Sequence, residues 1–84
     1  MVDKTGWEKK SSNLLKTELV KRDLNYEDLR QALEKIGIQK TVHNLTKTIN
    51  LGKFPFAFFL QCALAIGIKN LRLNEFISFD EENG

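Results

Sequence analysis

Phe54-Pro-Phe-Ala-Phe-Phe-Leu-Gln-Cys-Ala-Leu-Ala-Ile-Gly-Ile68 is the stretch around which the rest of this chain must pack. Gln61 is its one polar side chain between Phe54 and Ile66. Phe54, Phe56, Phe58, Phe59, Leu60, Leu64 and Ile66 point in nearly every direction from a helix axis. A helix that is apolar almost all round belongs inside a core or a membrane. A membrane span needs about 20 apolar residues, and this run is closed by Lys53 before it and by Gly67 and Lys69 after it. The sequence therefore predicts a buried central helix, with Pro55 near its first turn and Gly67 as a left-handed stop. Ile68 closes the hydrophobic contact beyond that stop. The stretch speaks of a core and, taken alone, says nothing of function.

Moving towards the N-terminus, Gly52 ends a third helix that begins near Gln39 to Thr41 and runs to about Asn50 or Leu51. Val42, Leu45 and Ile49 share its inner face, while Lys40, His43, Asn44 and Lys47 fall on the opposite one at about 100° per residue. Thr41, Val42, Thr46, Thr48 and Ile49 are β-branched, so packing rather than propensity must hold this helix. Before it, Asn25 reads as an N-cap with Asp28 in the reciprocal position of a capping box. Tyr26, Leu29, Ala32, Leu33 and Ile36 follow at helical spacing until Gly37, after which Ile38 turns inward. Leu24 staples the entry. A first helix, capped by Ser11 or Ser12, runs to about Arg22 with Leu14, Leu15 and Leu19 inward and Lys16, Lys21 and Arg22 in water. The opening up to Lys10 reads as partly extended, although Trp7 can fold onto the same inner side if the helix begins earlier.

Beyond the central stretch, Leu71, Leu73, Phe76, Ile77 and Phe79 keep no clean period. A short last helix or an extended arm would bury Leu71 and Leu73, and residues 80 to 84 read as a disordered tail. The whole is one domain over residues 1–84, with its core between about 12 and 73, an all-α bundle of four to five helices.

Composition narrows the chemistry. One histidine and one cysteine rule out a disulfide framework and a four-ligand zinc site within one chain. Cys62, inside the apolar helix, reads as a buried structural thiol. No nucleophile–base pair and no phosphate-cradling glycine loop is present, so neither catalytic residues, nor a cofactor, nor a small-molecule substrate is expected. The N-terminus lacks the apolar region of a signal peptide, which points to a reducing, cytoplasmic setting and no membrane.

The net charge of +2 conceals an asymmetry. Glu34 is the last acid before Glu75, and Lys35, Lys40, Lys47, Lys53, Lys69 and Arg72 lie between them. Acids then gather in Glu75, Asp80, Glu81 and Glu82. A cationic middle of this kind suits a polyanionic partner.

The order of capped helix, glycine turn, polar and basic helix, Gly52 and Lys53 before Pro55, and apolar helix ending at Gly67 resembles the helix-turn-helix domains of the lambda-repressor and Cro type. The stretch from Gly37 to Gly52 is a few residues longer than that pattern, and Asn50 stands near the place of its common glutamate. Residues 53 to 67, with Tyr26, Leu29 and the Ile36-Gly37 turn, also look like a small bacterial domain family whose function is not established. The helix-turn-helix resemblance implies a transcriptional regulator that binds double-stranded DNA and lays its third helix in the major groove. Carried over residue by residue, it makes Gln39, Lys40, His43, Asn44 and Lys47 base-edge candidates, and Thr41, Thr46 and Lys53 phosphate candidates. First-turn amides of the second and third helices would add anion contacts. A homodimer on a two-fold site is compatible with it. The alternative is an antitoxin-like or partner-binding interaction module on the same fold, motivated by Phe76, Ile77 and Phe79. RNA is a weaker candidate, because Phe58 and Phe59 sit in the expected core and offer no stacking platform.

Overall fold

A computed structural model describes residues 6–77. Among the described residues the chain is all-α, with four helices and no strand: α1 (Gly6–Lys21), α2 (Tyr26–Lys35), α3 (Val42–Leu51) and α4 (Phe56–Ile66), then a 3-10 turn at Leu73–Glu75. Helix α2 packs on α3 and α4, and α1 packs on α3. Their shared core is Leu15, Leu19, Leu29, Leu33, Leu45, Ile49, Phe58, Phe59 and Cys62. Ile38 and Ile68, each just past a glycine, pack against it, as does Leu24.

The local signals of the sequence act as expected at the helix ends. The Asn25 side chain accepts from the Asp28 amide at 2.8 Å, and the Asp28 carboxylate accepts from the Asn25 amide at 2.9 Å. This reciprocal pair satisfies two of the orphan donors of the first turn of α2. At the other ends, Gly37, Gly52 and Gly67 all take positive φ. The amides of Gly67 and Ile68 donate to the carbonyl of Ala63, closing α4.

Four expectations need correction. Helix α1 starts at Gly6, not at Ser11 or Ser12, so the opening is helical from that residue. No Gly or Pro interrupts the run from Trp7 onward, and serine within a helix costs little when packing holds it. Ser12 lies buried inside α1, its hydroxyl without a hydrogen-bond partner among the described residues. Arg22 is only partly solvated: it donates from Nε to the carbonyl of Ile66 at 3.0 Å and from Nη2 to that of Gly67 at 3.2 Å. Its Nη1 meets the carboxylate of Glu18 at 2.6 Å, and Glu18 is only 3% exposed. One guanidinium thus caps the end of α4 and neutralises the one buried acid of α1.

The third correction concerns α4 itself. Pro55 stands just before its first turn, as the N-cap, in line with expectation. The helix is not surrounded: Phe58, Phe59 and Cys62 are buried, but Phe56, Leu60 and Leu64 are 68%, 54% and 72% exposed. A chain this short has too few helices to enclose one on every side. Fourth, Leu71 and Leu73 are not buried: among the described residues Leu71 precedes and Leu73 opens a single 3-10 turn, and both stay exposed. Phe79 and residues 80–84, expected as a disordered tail, lie outside the described residues.

Candidate functional site

The position of α3 decides what its outer side can do. Leu45 and Ile49 are fully buried, which fixes the rotation of the helix on α1 and α2. Val42, expected inward with them, is 36% exposed, because it is the first residue of the helix and sits at the edge of the contact. His43, Asn44 and Lys47 are exposed, as residues three and four apart on one side must be when Leu45 and Ile49 face in. Gln39 and Lys40 are exposed as well, but they precede the helix, within the connection of residues 36–41. The structure therefore brings His43, Asn44 and Lys47 together on a rigid rod and leaves Gln39 and Lys40 on the loop leading into it.

The phosphate candidates fare differently. The hydroxyl of Thr41 accepts from the Asn44 amide at 3.0 Å and is the N-cap of α3. The hydroxyl of Thr46 donates to the carbonyl of Val42 at 2.8 Å, the back-bond that serine and threonine form inside helices. Lys53 lies 3.6 Å from the carboxylate of Glu8, so α1 shares its charge. The first turn of α2 holds Glu27 and Asp28 and repels anions, whereas the first turn of α3 holds no acid.

The electrostatics of α2 and α3 contrast sharply. On α2, Arg30 is bound by Glu27 through two hydrogen bonds of 2.9 and 2.7 Å and by Glu34 at 3.1 Å. Hydrogen bonds from Arg30 and Gln31 hold the Glu27 carboxyl down at about 2. Glu27, Arg30 and Glu34 thus satisfy one another. Among the described residues neither Lys40 nor Lys47 enters an ion pair. Their charge is available to a partner.

Cys62 is fully buried, and burial pushes its thiol up to about 12, with the nearby charge of Lys40 offsetting part of the rise. A thiol this weakly acidic is no nucleophile at neutral pH. Native protein at pH 8 should react with an aromatic disulfide reagent at least about 100-fold more slowly than denatured protein, since the thiol is reached only through opening of the core. Equal rates would show Cys62 to be accessible. Among the described residues no group of three or more His, Cys, Asp or Glu side chains could hold a metal ion, and no helix is long and apolar enough to cross a membrane.

Sequence reasoning missed the outward row Phe56, Leu60 and Leu64. The spacing that marks one face is present, but it is hidden because the other faces of α4 are apolar too. It also missed a hollow of about 310 Å³ between the start of α1, the start of α4 and the C-terminal turn, lined by Trp7, Leu14, Phe54, Phe59, Leu71 and Phe76.

Residues 7–71 match the family model described as "Domain of unknown function (DUF6471)". No curated protein and no solved structure matches the chain.

Proposed function

The chain belongs to the DUF6471 family, and for this member we propose, on the geometry of α3, that it is a small DNA-binding regulator whose α2–α3 pair acts as a helix-turn-helix of the lambda-repressor type. The observation that carries this reading is the outer side of α3, where His43, Asn44 and Lys47 stand exposed on a docked helix, with Lys40 exposed on the connection leading into it and no ion pair to Lys40 or Lys47 among the described residues. The absence of any acid from residue 35 to residue 74 supports it, because a phosphate backbone approaching α3 meets no fixed negative charge in that half of the chain.

In this reading α3 enters the major groove with its N-terminal residues towards base edges. Asn44 offers the donor and acceptor pair that suits adenine, and Lys47 donates to the acceptors of guanine or to phosphate. His43 adds a ring donor or acceptor at the same level. Gln39 and Lys40, on the connection, meet the sugar–phosphate edge of the groove, and Lys53 assists only when it leaves Glu8. Thr41 and Thr46 commit their hydroxyls to the helix itself and contribute its shape.

Fluorescence anisotropy with random duplex DNA over a salt series tests the reading. If Lys40 and Lys47 each neutralise one phosphate, log K falls against log salt with a slope of about −2 per protomer. Lys47→Glu should weaken binding by on the order of tenfold at fixed salt while leaving the melting temperature nearly unchanged, since the side chain is exposed. A protein without measurable affinity for duplex DNA at low salt would overturn the assignment. It would favour the second reading, a partner-binding module, which the exposed apolar row on α4 supports independently.

A further inference from the structure

Helix α4 carries no charged residue along its whole length, Phe56 to Ile66, yet it turns Phe56, Leu60 and Leu64 outward. These lie four and eight residues apart and form one row; Ala57 and Gln61, both exposed, widen the same face on one side. Phe56 is anchored, its ring stacked on that of the buried Phe59 at 5.9 Å with 22° between the planes. The row is therefore a fixed feature of the folded core rather than a loose side chain.

We infer that this face of α4 is the surface through which two copies of the chain pair, their α4 helices antiparallel about a two-fold axis. Three observations select a second copy over other partners. The row itself sets no like charges against one another, because the helix has no charge and the cations Lys53 and Lys69 lie beyond its ends, and a strongly charged partner finds nothing along the row to pair with. The row is symmetric about Leu60, so antiparallel pairing sets Phe56 of each copy against Leu64 of the other and Leu60 against Leu60, which is the self-complementarity a two-fold contact demands. Gln61, the sole polar side chain of α4, lies at the level of that axis on the flank of the row. An amide carries both donor and acceptor and satisfies itself against its own copy, but it would stand unpaired among acyl chains.

The area sets the strength. With roughly 200 Å² for each large apolar side chain, the three exposures amount to roughly 400 Å² per copy before Ala57 and Gln61 are added. An interface of standard size buries about 800 Å² per partner. The pairing accordingly belongs to the weak class, with a dissociation constant on the order of 10–100 µM. It stands apart from the DNA reading and is measured without DNA.

Sedimentation equilibrium of the full chain over a concentration series is the test. The wild type should move from one to two copies across tens of micromolar. Phe56→Lys and Leu64→Glu should each remain one copy while keeping the helical circular dichroism signal of the folded chain, each weakening self-association by more than about tenfold. Mixed in equal amounts, the two variants should associate again, because the ammonium introduced by the first substitution then faces the carboxylate introduced by the second. A wild type that stays one copy to millimolar concentration overturns the inference, and so do single variants that pair as the parent does. Binding of the single-copy protein to phosphatidylcholine–phosphatidylglycerol vesicles, lost in Leu64→Glu, would instead assign the face to lipid.

Discussion

Replacing Gly52 by alanine will lower the melting temperature of the protein by roughly 10–25 °C. Gly52 ends α3 at φ 70°, in the left-handed region that costs a residue with a Cβ about 1 kcal/mol. The second effect is larger. A Cβ on Gly52 would overlap the carbonyl oxygen of Glu8 and come within 2.8 Å of its carbonyl carbon. Both are backbone atoms inside α1, so no rotamer change relieves the clash, and overpacking of this kind adds about 1–3 kcal/mol. The total of roughly 2–4 kcal/mol removes much of the stability of a small domain and lowers the melting temperature by roughly 10–25 °C. Gly67→Ala is the control: φ there is 81°, but nothing lies within 4 Å of the added Cβ. It incurs the backbone strain alone. Thermal melts followed by circular dichroism should therefore separate the two variants by roughly 10 °C or more, and equal melting temperatures would refute the close approach of α3 to α1.

Arg22→Met is the other substitution with a large expected effect. It preserves most of the aliphatic stem and removes the guanidinium that holds Glu18, Ile66 and Gly67 together. Glu18 would then keep only Lys21, at 3.6 Å and itself exposed, while two carbonyls at the end of α4 lose their donor. Removing one member of a buried pair leaves the other charge uncompensated, at a cost of about 3–5 kcal/mol where both are fully buried. Arg22 is partly exposed, so about 2–3 kcal/mol is expected here. The double variant Glu18→Gln/Arg22→Met should recover part of that loss, because no unpaired carboxylate remains. Urea denaturation of the two singles and the double closes the cycle; a double variant as unstable as the sum of its singles would deny the coupling.

The elements most legible in the sequence are those set by neighbours along the chain. Asn25 and Asp28 form their reciprocal cap within four residues, and Gly37, Gly52 and Gly67 stop helices for a reason contained in their own backbones. The outward side of α3 is legible for the same reason, since Leu45 and Ile49 at helical spacing fix where His43 and Lys47 must point. What escapes depends on partners far along the chain. Ser11 and Ser12 offer a cap that α1 ignores, because its start is settled by docking on α3. Arg22 looks like any solvated arginine until Ile66 arrives beside it. Lys53 looks available until Glu8, placed 3.6 Å away by that same docking, claims part of its charge. The hydroxyls of Thr41 and Thr46 mislead for a local reason: each has a nearer backbone group to bond than any ligand.

The two tethers just described also govern how the chain reaches its native state. Arg22 and Ile66 are 44 residues apart, and Glu8 is equally far from Gly52. Helical bundles fold fastest when their contacts are between sequence neighbours, because little loop entropy is lost before each contact forms. Here α1 gains its lasting partners only once α3 and the end of α4 have been made. Of the four helices it therefore leaves the ribosome first and is secured last, and this small bundle folds more slowly than its helical content would suggest.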